Sequence, residues 1–415
     1  MKIERNKLIP WAIAVLVIAL VLLADTFIGG TLFAKNWYNS YALQAEAWLS
    51  GNLGLAENYP WLELVLLDDK VFVSFPPTPA VVMLPFVALS KFCGLPLNDH
   101  LIGLAVFCIA IYFCFKLAES FGLSQIKACF FALFATIGGN ILHIVFYAGW
   151  VWFFAQILGF TFTVASFFFA RKPSKMFLPP LLLALAVGCR PFQLIYAPVV
   201  AFLMFDSYGI KLLPFAKKLA LSLIPAAACI LFYMILNAAR FGNPFEFGHN
   251  YLPEHVNSGD SYGQFNIAFF ADNVKNLMRL PYFEEGFLKF HKFSGSAFYI
   301  VNPIFISCLI GFIVYVVKLI RHEQNINAFI IIPILIMLHL FLLCLHRTMG
   351  GVHFGNRYTI DAVPAAFLGI LFAVAPSAEK TKQSRLNAFL IAVSIPLCAA
   401  GFIINLCGTL TFSYS

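Results

Sequence analysis

Charge is what this sequence has least of. Lysine, arginine, aspartate and glutamate make up 11% of its 415 residues, against 61% hydrophobic ones. A soluble fold needs a charged, wettable surface, so this balance excludes one and indicates a polytopic helical membrane protein. The apolar runs are continuous rather than alternating, which excludes a β-barrel. Signatures of nucleotide and metal chemistry are absent as well. No P-loop, GxGxxG, GxSxG or HExxH occurs, so nothing supports ATP-driven transport or hydride transfer. The 10 cysteines follow no CxxC or Cys/His spacing and read as small core residues. There is no internal repeat, no low-complexity tract and no extramembrane stretch long enough for its own core. The expectation is one membrane-embedded domain over residues 1–415.

What is present is a series of apolar segments, each of about 20 residues or fewer. Spans are expected near 9–31, 77–93, 98–118, 127–147, 150–170, 176–190, 191–208, 217–238, 297–318, 326–345, 359–376 and 387–408. Several are short or hold proline, so the expected fold is an all-α transmembrane bundle of 11–13 spans. The N-terminus, MKIERNKLIPWAIAVLVIALVLLAD, looks like a signal peptide but lacks a small-x-small cleavage site. It is read as a retained first span entering from the cytoplasm. Asn39 to Ser50 reads as a short helix lying along the interface, with Gly51 to end it.

Loop charge sets the orientation. RKPSK at 171–175, Lys211, Lys217, Lys218, KLIRHE at 318–323 and EKTKQSR at 379–385 are basic and belong on the cytoplasmic side, which accounts for the net charge of +8 without nucleic acid. Residues 32–76 carry five acids against Lys35 and Lys70, and residues 239–296 carry six acids against five bases. These two loops and 346–358 are therefore placed outside. Counting spans forward from the N-terminus conflicts with counting back from the C-terminal loops, so some apolar stretch between residues 77 and 170 must either hide an extra crossing or lack one.

Polar residues are few enough to consider singly. The first outer loop offers five acids, Glu46, Glu57, Glu63, Asp68 and Asp69, as candidate general bases, and Asp25 lies near the outer end of the first span. The bland alternatives are solvated loop acids and an interfacial residue at a span end. Arg190 is a lone cation in apolar sequence, where it needs a partner, and its planar fork suits a phosphate. ARFGNPFEFGHNY (239–251) presents Arg240, Glu246, His249 and Asn250 around a turn. HRTMGGVHFGNRYTIDAVP (346–364) presents His346, Arg347, His353, Arg357, Tyr358 and Asp361 around a Gly-Gly break. His143, Tyr147, Trp150, Trp152 and Gln156 cluster between two spans, as an aromatic belt or as a platform for sugar rings.

Taken in order, these segments resemble the GT-C superfamily of integral-membrane glycosyltransferases, in particular its bacterial aminoarabinose transferase and protein mannosyltransferase branch. The resemblance rests on YALQAEAWLSGNLGL (41–55), ELVLLDDKVFVSFPPTPAVVMLPF (63–86), LAVGCRPF (185–192), ARFGNPFEFGHNY (239–251) and HFGNRYTIDAVP (353–364). It implies a multi-pass protein of the cell inner membrane. It implies transfer of a sugar from a polyprenyl-phosphate donor to a glycan, lipid or protein acceptor on the outer face. The lipid-linked sugar is then a substrate, with no cofactor and no assigned metal, although a divalent cation is not excluded. The resemblance places Glu63 at the loop acid, usually Asp in the family, with Asp25, Asp68 and Asp69 as other candidates. Tyr41, His143, Arg190, Arg240, His249, His353, Arg357 and Tyr358 become substrate-binding candidates. Two departures stand out: Asp69 replaces a family glycine, and Trp37 and Tyr38 stand where some members carry an Asp-Glu pair. A transporter or flippase for a lipid or anionic solute, and a non-catalytic scaffold of envelope-polymer assembly, are the alternative readings.

The orientation is testable with single cysteines in a cysteine-free background. An impermeant thiol reagent should label residues within 32–76, 239–296 and 346–358 on intact cells and spare 171–175 and 379–385. Labelling of 379–385 from outside would invert the topology.

Overall fold

The computed structural model describes residues 2–256, 262–323, 326–376 and 385–412, with side chains from residue 8 onward except those of Glu254 and Phe287. Residues 379–384, most of the last expected basic loop, lie outside the described residues. Helices dominate. In chain order they are α1 (Lys2–Phe27), α2 (Ser40–Leu49), α3 (Thr78–Cys93), α4 (Asp99–Ser120), α5 (Gln125–Ala135), α6 (Ile141–Val145), α7 (Val151–Ala170), α8 (Leu178–Val187) and α9 (Ala197–Tyr208). There follow α10 (Leu212–Ser222), α11 (Ile224–Phe241), α12 (Pro253–Val256), α13 (Phe270–Met278), α14 (Phe298–Val301), α15 (Ile304–Ile320), α16 (Ile332–Leu345), α17 (Val363–Val374) and α18 (Arg385–Thr411). Among the described residues, 7 helical segments are long and apolar enough to cross a membrane, and α3, α5, α8 and α15 are shorter apolar helices.

Helix ends follow local chemistry. Asn98 caps α4 by accepting from the Leu101 N–H at 3.1 Å. Prolines open α3, α8, α9, α11, α16 and α17 within their first two positions. Expected single spans therefore break into pieces. The 191–208 segment is a 3-10 turn, Pro191–Tyr196, leading into α9, and 359–376 is a 3-10 turn, Arg357–Ala362, leading into α17. The expected span 127–147 is α5 and α6 separated by a turn.

Contacts define two ends of the bundle. At one end Arg171 donates to Ser120 Oγ and the Ser120 carbonyl, Ser207 to the Ala170 carbonyl and Tyr208 to the Pro173 carbonyl. At the other end lie the long loops. There Thr31 bonds the Phe146 carbonyl, Asn36 bonds Asp99 and the Gly149 carbonyl, and Arg240 bonds the Val73 carbonyl. Helix α3 begins and finishes at this second end. Its last turn holds Lys91, paired with Glu46 of α2 at 2.9 Å, and the Asn98 amide that follows bonds the Leu32 carbonyl at 3.1 Å. The expected crossing at 77–93 is thus corrected: α3 lies against the interfacial helix α2 and does not traverse the bundle. This accounts for the counting conflict and puts the 171–175 turn at the end opposite the long loops.

The stretch before α3 is also more ordered than a loop. Leu64–Leu67 (β1) and Lys70–Val73 (β2) pair antiparallel, with Leu67 opposite Lys70. The two-residue turn is Asp68-Asp69, at φ 49° and 58°. Both angles are those of the hairpin turn that matches strand twist, and aspartate tolerates them better than most residues.

The arrangement is held tightly where α3, α8 and α11 meet. The Thr78 N–H donates to the Gly188 carbonyl at 3.0 Å, and Thr78 Oγ1 bonds Tyr233 Oη at 2.5 Å. A Cβ on Gly188 would overlap both side chains. At the centre, 94% of the Arg357–Val374 segment is buried, against 22% of α18. Polar residues that start this segment therefore project from the interior of the protein and not toward lipid.

A non-crossing α3 predicts that cysteines placed at Leu53 and at Leu95, both exposed, react with an impermeant reagent from the same side. Opposite accessibility would restore α3 as a span.

Candidate active site

The long-loop end encloses a cavity of about 480 Å³. Its walls bring together the β-hairpin (Glu63, Phe75, Pro76), α2 (Tyr41), the start of α7 (Trp152), the α8–α9 break (Arg190), the 239–264 loop (Glu246, His249) and the 343–361 segment (His346, Arg357, Tyr358, Asp361). No two of these segments meet without the tertiary fold.

Each charged group is placed by a break in regular structure. Pro191 disfavours the helical conformation at Arg190, which is extended at φ −142°, ψ 100°. The guanidinium leaves the helix line and its Nε donates to Asp361 Oδ2 at 2.7 Å. Asp361 stands in the 3-10 turn before α17 and is 1% exposed. That turn is pinned from outside: Gln193 donates to the Asp361 carbonyl at 2.9 Å and Gln156 to the Arg357 carbonyl at 2.8 Å. Arg357 donates from Nη2 to the Gly350 carbonyl at 3.1 Å. Gly350 has φ 102°, and a Cβ there would come within 3.2 Å of the Arg357 Nε, so glycine gives the loop both its turn and its approach to the guanidinium. The Tyr358 ring faces both cations, with Arg190 Cζ 5.0 Å and Arg357 Cζ 4.6 Å from its centroid.

Three carboxylates line the cavity. Asp361 is spent on Arg190. Glu246 braces its own loop, accepting from the Gly248 N–H at 2.6 Å and from Asn250 at 2.5 Å. Glu63 is fixed at the foot of the hairpin, where Ser74 Oγ donates to its carbonyl at 3.0 Å and the Trp152 indole donates to its Oε1 at 3.2 Å. Burial lowers two of the cavity's histidines, His249 and His346, from 6.5 to about 4 and keeps both neutral.

Of the candidates read from sequence, Glu63, Tyr41, Arg190, His249, Arg357 and Tyr358 line this one cavity. The others do not. Asp25 is 2% exposed and accepts from Thr31 Oγ1 at 2.7 Å and from the Leu32 N–H, closing the turn after α1. Asp68 and Asp69 are exposed at the hairpin tip. Arg240 is buried between the Val73 carbonyl and Asn237 Oδ1. His353 is buried behind the Gly350 loop, and burial lowers it to about 3. His143 bonds Thr409 at 3.1 Å. Asp361 stood out in the sequence only as one polar residue of the 346–364 segment, with no site role assigned. Its signal was available, since a lone arginine in apolar sequence demands an acid and the RYTID segment carries one. Trp152 and Gln156, read as belt residues, hold Glu63 and the Arg357 turn respectively.

No family profile matches the sequence, and no curated protein matches it. Solved structures do match over nearly the whole chain. ArnT from Cupriavidus metallidurans, bound to undecaprenyl phosphate, aligns at TM-score 0.50 and 13% identity, covering 95% of this chain and 75% of that one. The apo oligosaccharyltransferase of Archaeoglobus fulgidus aligns at TM-score 0.47 and 14% identity, covering 96% of this chain and 56% of that one. This chain thus spans about half the length of the archaeal enzyme. The described chain is a polytopic helical bundle whose fold is similar to that of ArnT.

Proposed function

We propose that the protein is a glycosyltransferase that moves a sugar from a polyprenyl-phosphate donor to an acceptor hydroxyl at the extracytoplasmic face of the plasma membrane. The observation that carries this reading is the convergence of Glu63, Arg190 and Arg357 on one cavity at the long-loop end. The acidic balance of those loops favours the outer side. The undecaprenyl phosphate bound to ArnT, which shares the fold, supports a lipid phosphate as the donor's carrier.

The step is a single displacement at the anomeric carbon. The acceptor oxygen forms the new bond to that carbon, its proton passes to the Glu63 carboxylate, and the bond to the phosphate oxygen breaks. The departing lipid phosphate takes the electron pair, and its charge is met by Arg357. Glu63 suits the base because Asp361 is neutralised by Arg190 and both oxygens of Glu246 serve its own loop. The transporter reading loses its main support. Asp25 closes a local turn and Arg190 is paired, so neither is held in reserve for a moving solute.

Glu63→Gln should abolish transfer of labelled sugar from the lipid donor while leaving donor binding and folding intact. Asp68→Asn and Asp69→Asn should retain activity, because both side chains are exposed at the hairpin tip. Full turnover by Glu63→Gln would remove the base. Replacing Arg357 by Met should weaken donor binding by about 2–5 kcal/mol. The corresponding change at Arg190 should act first on stability, since it strands a buried carboxylate at a cost of about 3–5 kcal/mol. Thermal unfolding and donor titration separate the two. The pH dependence is also set. His249 and His346 protonate only near pH 4, so they add no positive charge to the cavity above that. In a His255→Gln background, which removes the third cavity histidine, affinity for a glycosylated lipid phosphate should therefore stay flat between about pH 8 and 5.5, where an ordinary histidine would strengthen it.

A further inference from the structure

Buried polar atoms without partners show what a cavity is built to receive, because leaving them unpaired is costly. On this wall, Tyr41 Oη, Arg357 Nη1 and Asp361 Oδ1 have no hydrogen-bond partner among the described residues. Their residues are 3%, 5% and 1% exposed. The three atoms ask for different things. A guanidinium N–H can only donate, so Arg357 Nη1 needs an acceptor, as a phosphate oxygen is. Asp361 pairs with Arg190 through Oδ2 at 2.7 Å, so as a carboxylate it offers its other oxygen as an acceptor. It repels a phosphate and needs an O–H or N–H. Burial pushes the Tyr41 phenol well above its ordinary value, so it remains an O–H that both donates and accepts. Tyr41 and Asp361 flank the same guanidinium, that of Arg190. A bare lipid phosphate supplies acceptors for Arg357 and for the Tyr41 O–H but no donor, so it leaves Asp361 Oδ1 unmet.

We infer that Tyr41 and Asp361 form the recognition site for the donor's sugar, with ring hydroxyls donating to Asp361 Oδ1 and bonding Tyr41 Oη while the phosphate lies on Arg357. This rests on the transferase reading and adds to it a division of the cavity. Arg190 serves the sugar end through Asp361, and Arg357 serves the phosphate end. The site favours a hydroxyl-bearing sugar over an acidic one, because a uronate at Asp361 would place two carboxylates together.

The test uses the full-length protein in nanodiscs. It is titrated with undecaprenyl phosphate and with undecaprenyl phosphate linked to glucose, galactose, mannose or arabinose. The wild type should bind at least one glycosylated lipid more tightly than the bare one. Tyr41→Phe removes a hydroxyl that bonds no protein atom, so it should fold normally. It should weaken the preferred glycosylated lipid roughly tenfold and leave undecaprenyl phosphate within about twofold. Asp361→Asn should show the same selective loss where it folds, and Arg357→Met should weaken both lipids. Equal losses on the two lipids in Tyr41→Phe, or none, would overturn the sugar site. If the wild type transfers sugar in a Glu63-dependent manner yet binds bare and glycosylated lipids alike, this inference fails while the transferase reading stands. Absence of both binding and transfer would sink the two together.

Discussion

The ion pair between Arg190 and Asp361 is the constraint around which the loop end is organised. It joins a break after α8 to the turn before α17, across 171 positions of sequence, at 2.7 Å. Either charge alone in this interior would cost several kcal/mol, so the two breaks must face each other for the bundle to close. Gln193, three residues after Arg190, bonds the Asp361 carbonyl, and Thr163 of α7 bonds Gln193 in turn. The pair is therefore the centre of a polar strut that ties α7 to the 3-10 turns before α9 and α17. It also positions Tyr358, whose ring lies against both arginines.

Irregular backbone at membrane depth needs protein or a cavity to satisfy it. Here it occurs at Gly188–Tyr196 and at Arg357–Ala362, and the cavity lies between these stretches. Prolines 191 and 364 mark both places in the sequence. Breaking the helices achieves two ends at once. It turns Arg190 and Asp361 away from their helix axes, and it opens space that continuous spans would fill with side chains.

The membrane class, the helical architecture and most helix positions were legible because apolar runs of span length have few other uses. The convergence of Glu63, Arg190 and Arg357 was legible only as separate polar residues in apolar surroundings. Sequence spacing could not show that Asp25 turns inward on Thr31, since an acid at a span end looks the same whether it caps a turn or faces a cavity. Nor could it show that Asp68 and Asp69 are a hairpin tip. Two adjacent acids resemble a solvated loop until strand pairing on either side gives them left-handed angles. Helix α3 misled for a related reason. Its composition is that of a span, and only its tie to α2 shows where it lies.

That tie has a consequence for how the chain is made. When α3 leaves the ribosome it is an apolar segment of 16 residues, and the insertion machinery sees hydrophobicity before it sees any tertiary partner. Threaded as a span, α3 would invert every later helix and deliver the 171–175 basic turn to the wrong compartment. The folded chain marks the segment as different in two ways: Lys91 in its last turn pairs with Glu46 of α2, and a double proline at 76–77 stands before its first residue. Whether α3 crosses thus decides the orientation of every helix after it, and in the folded chain α3 lies against α2.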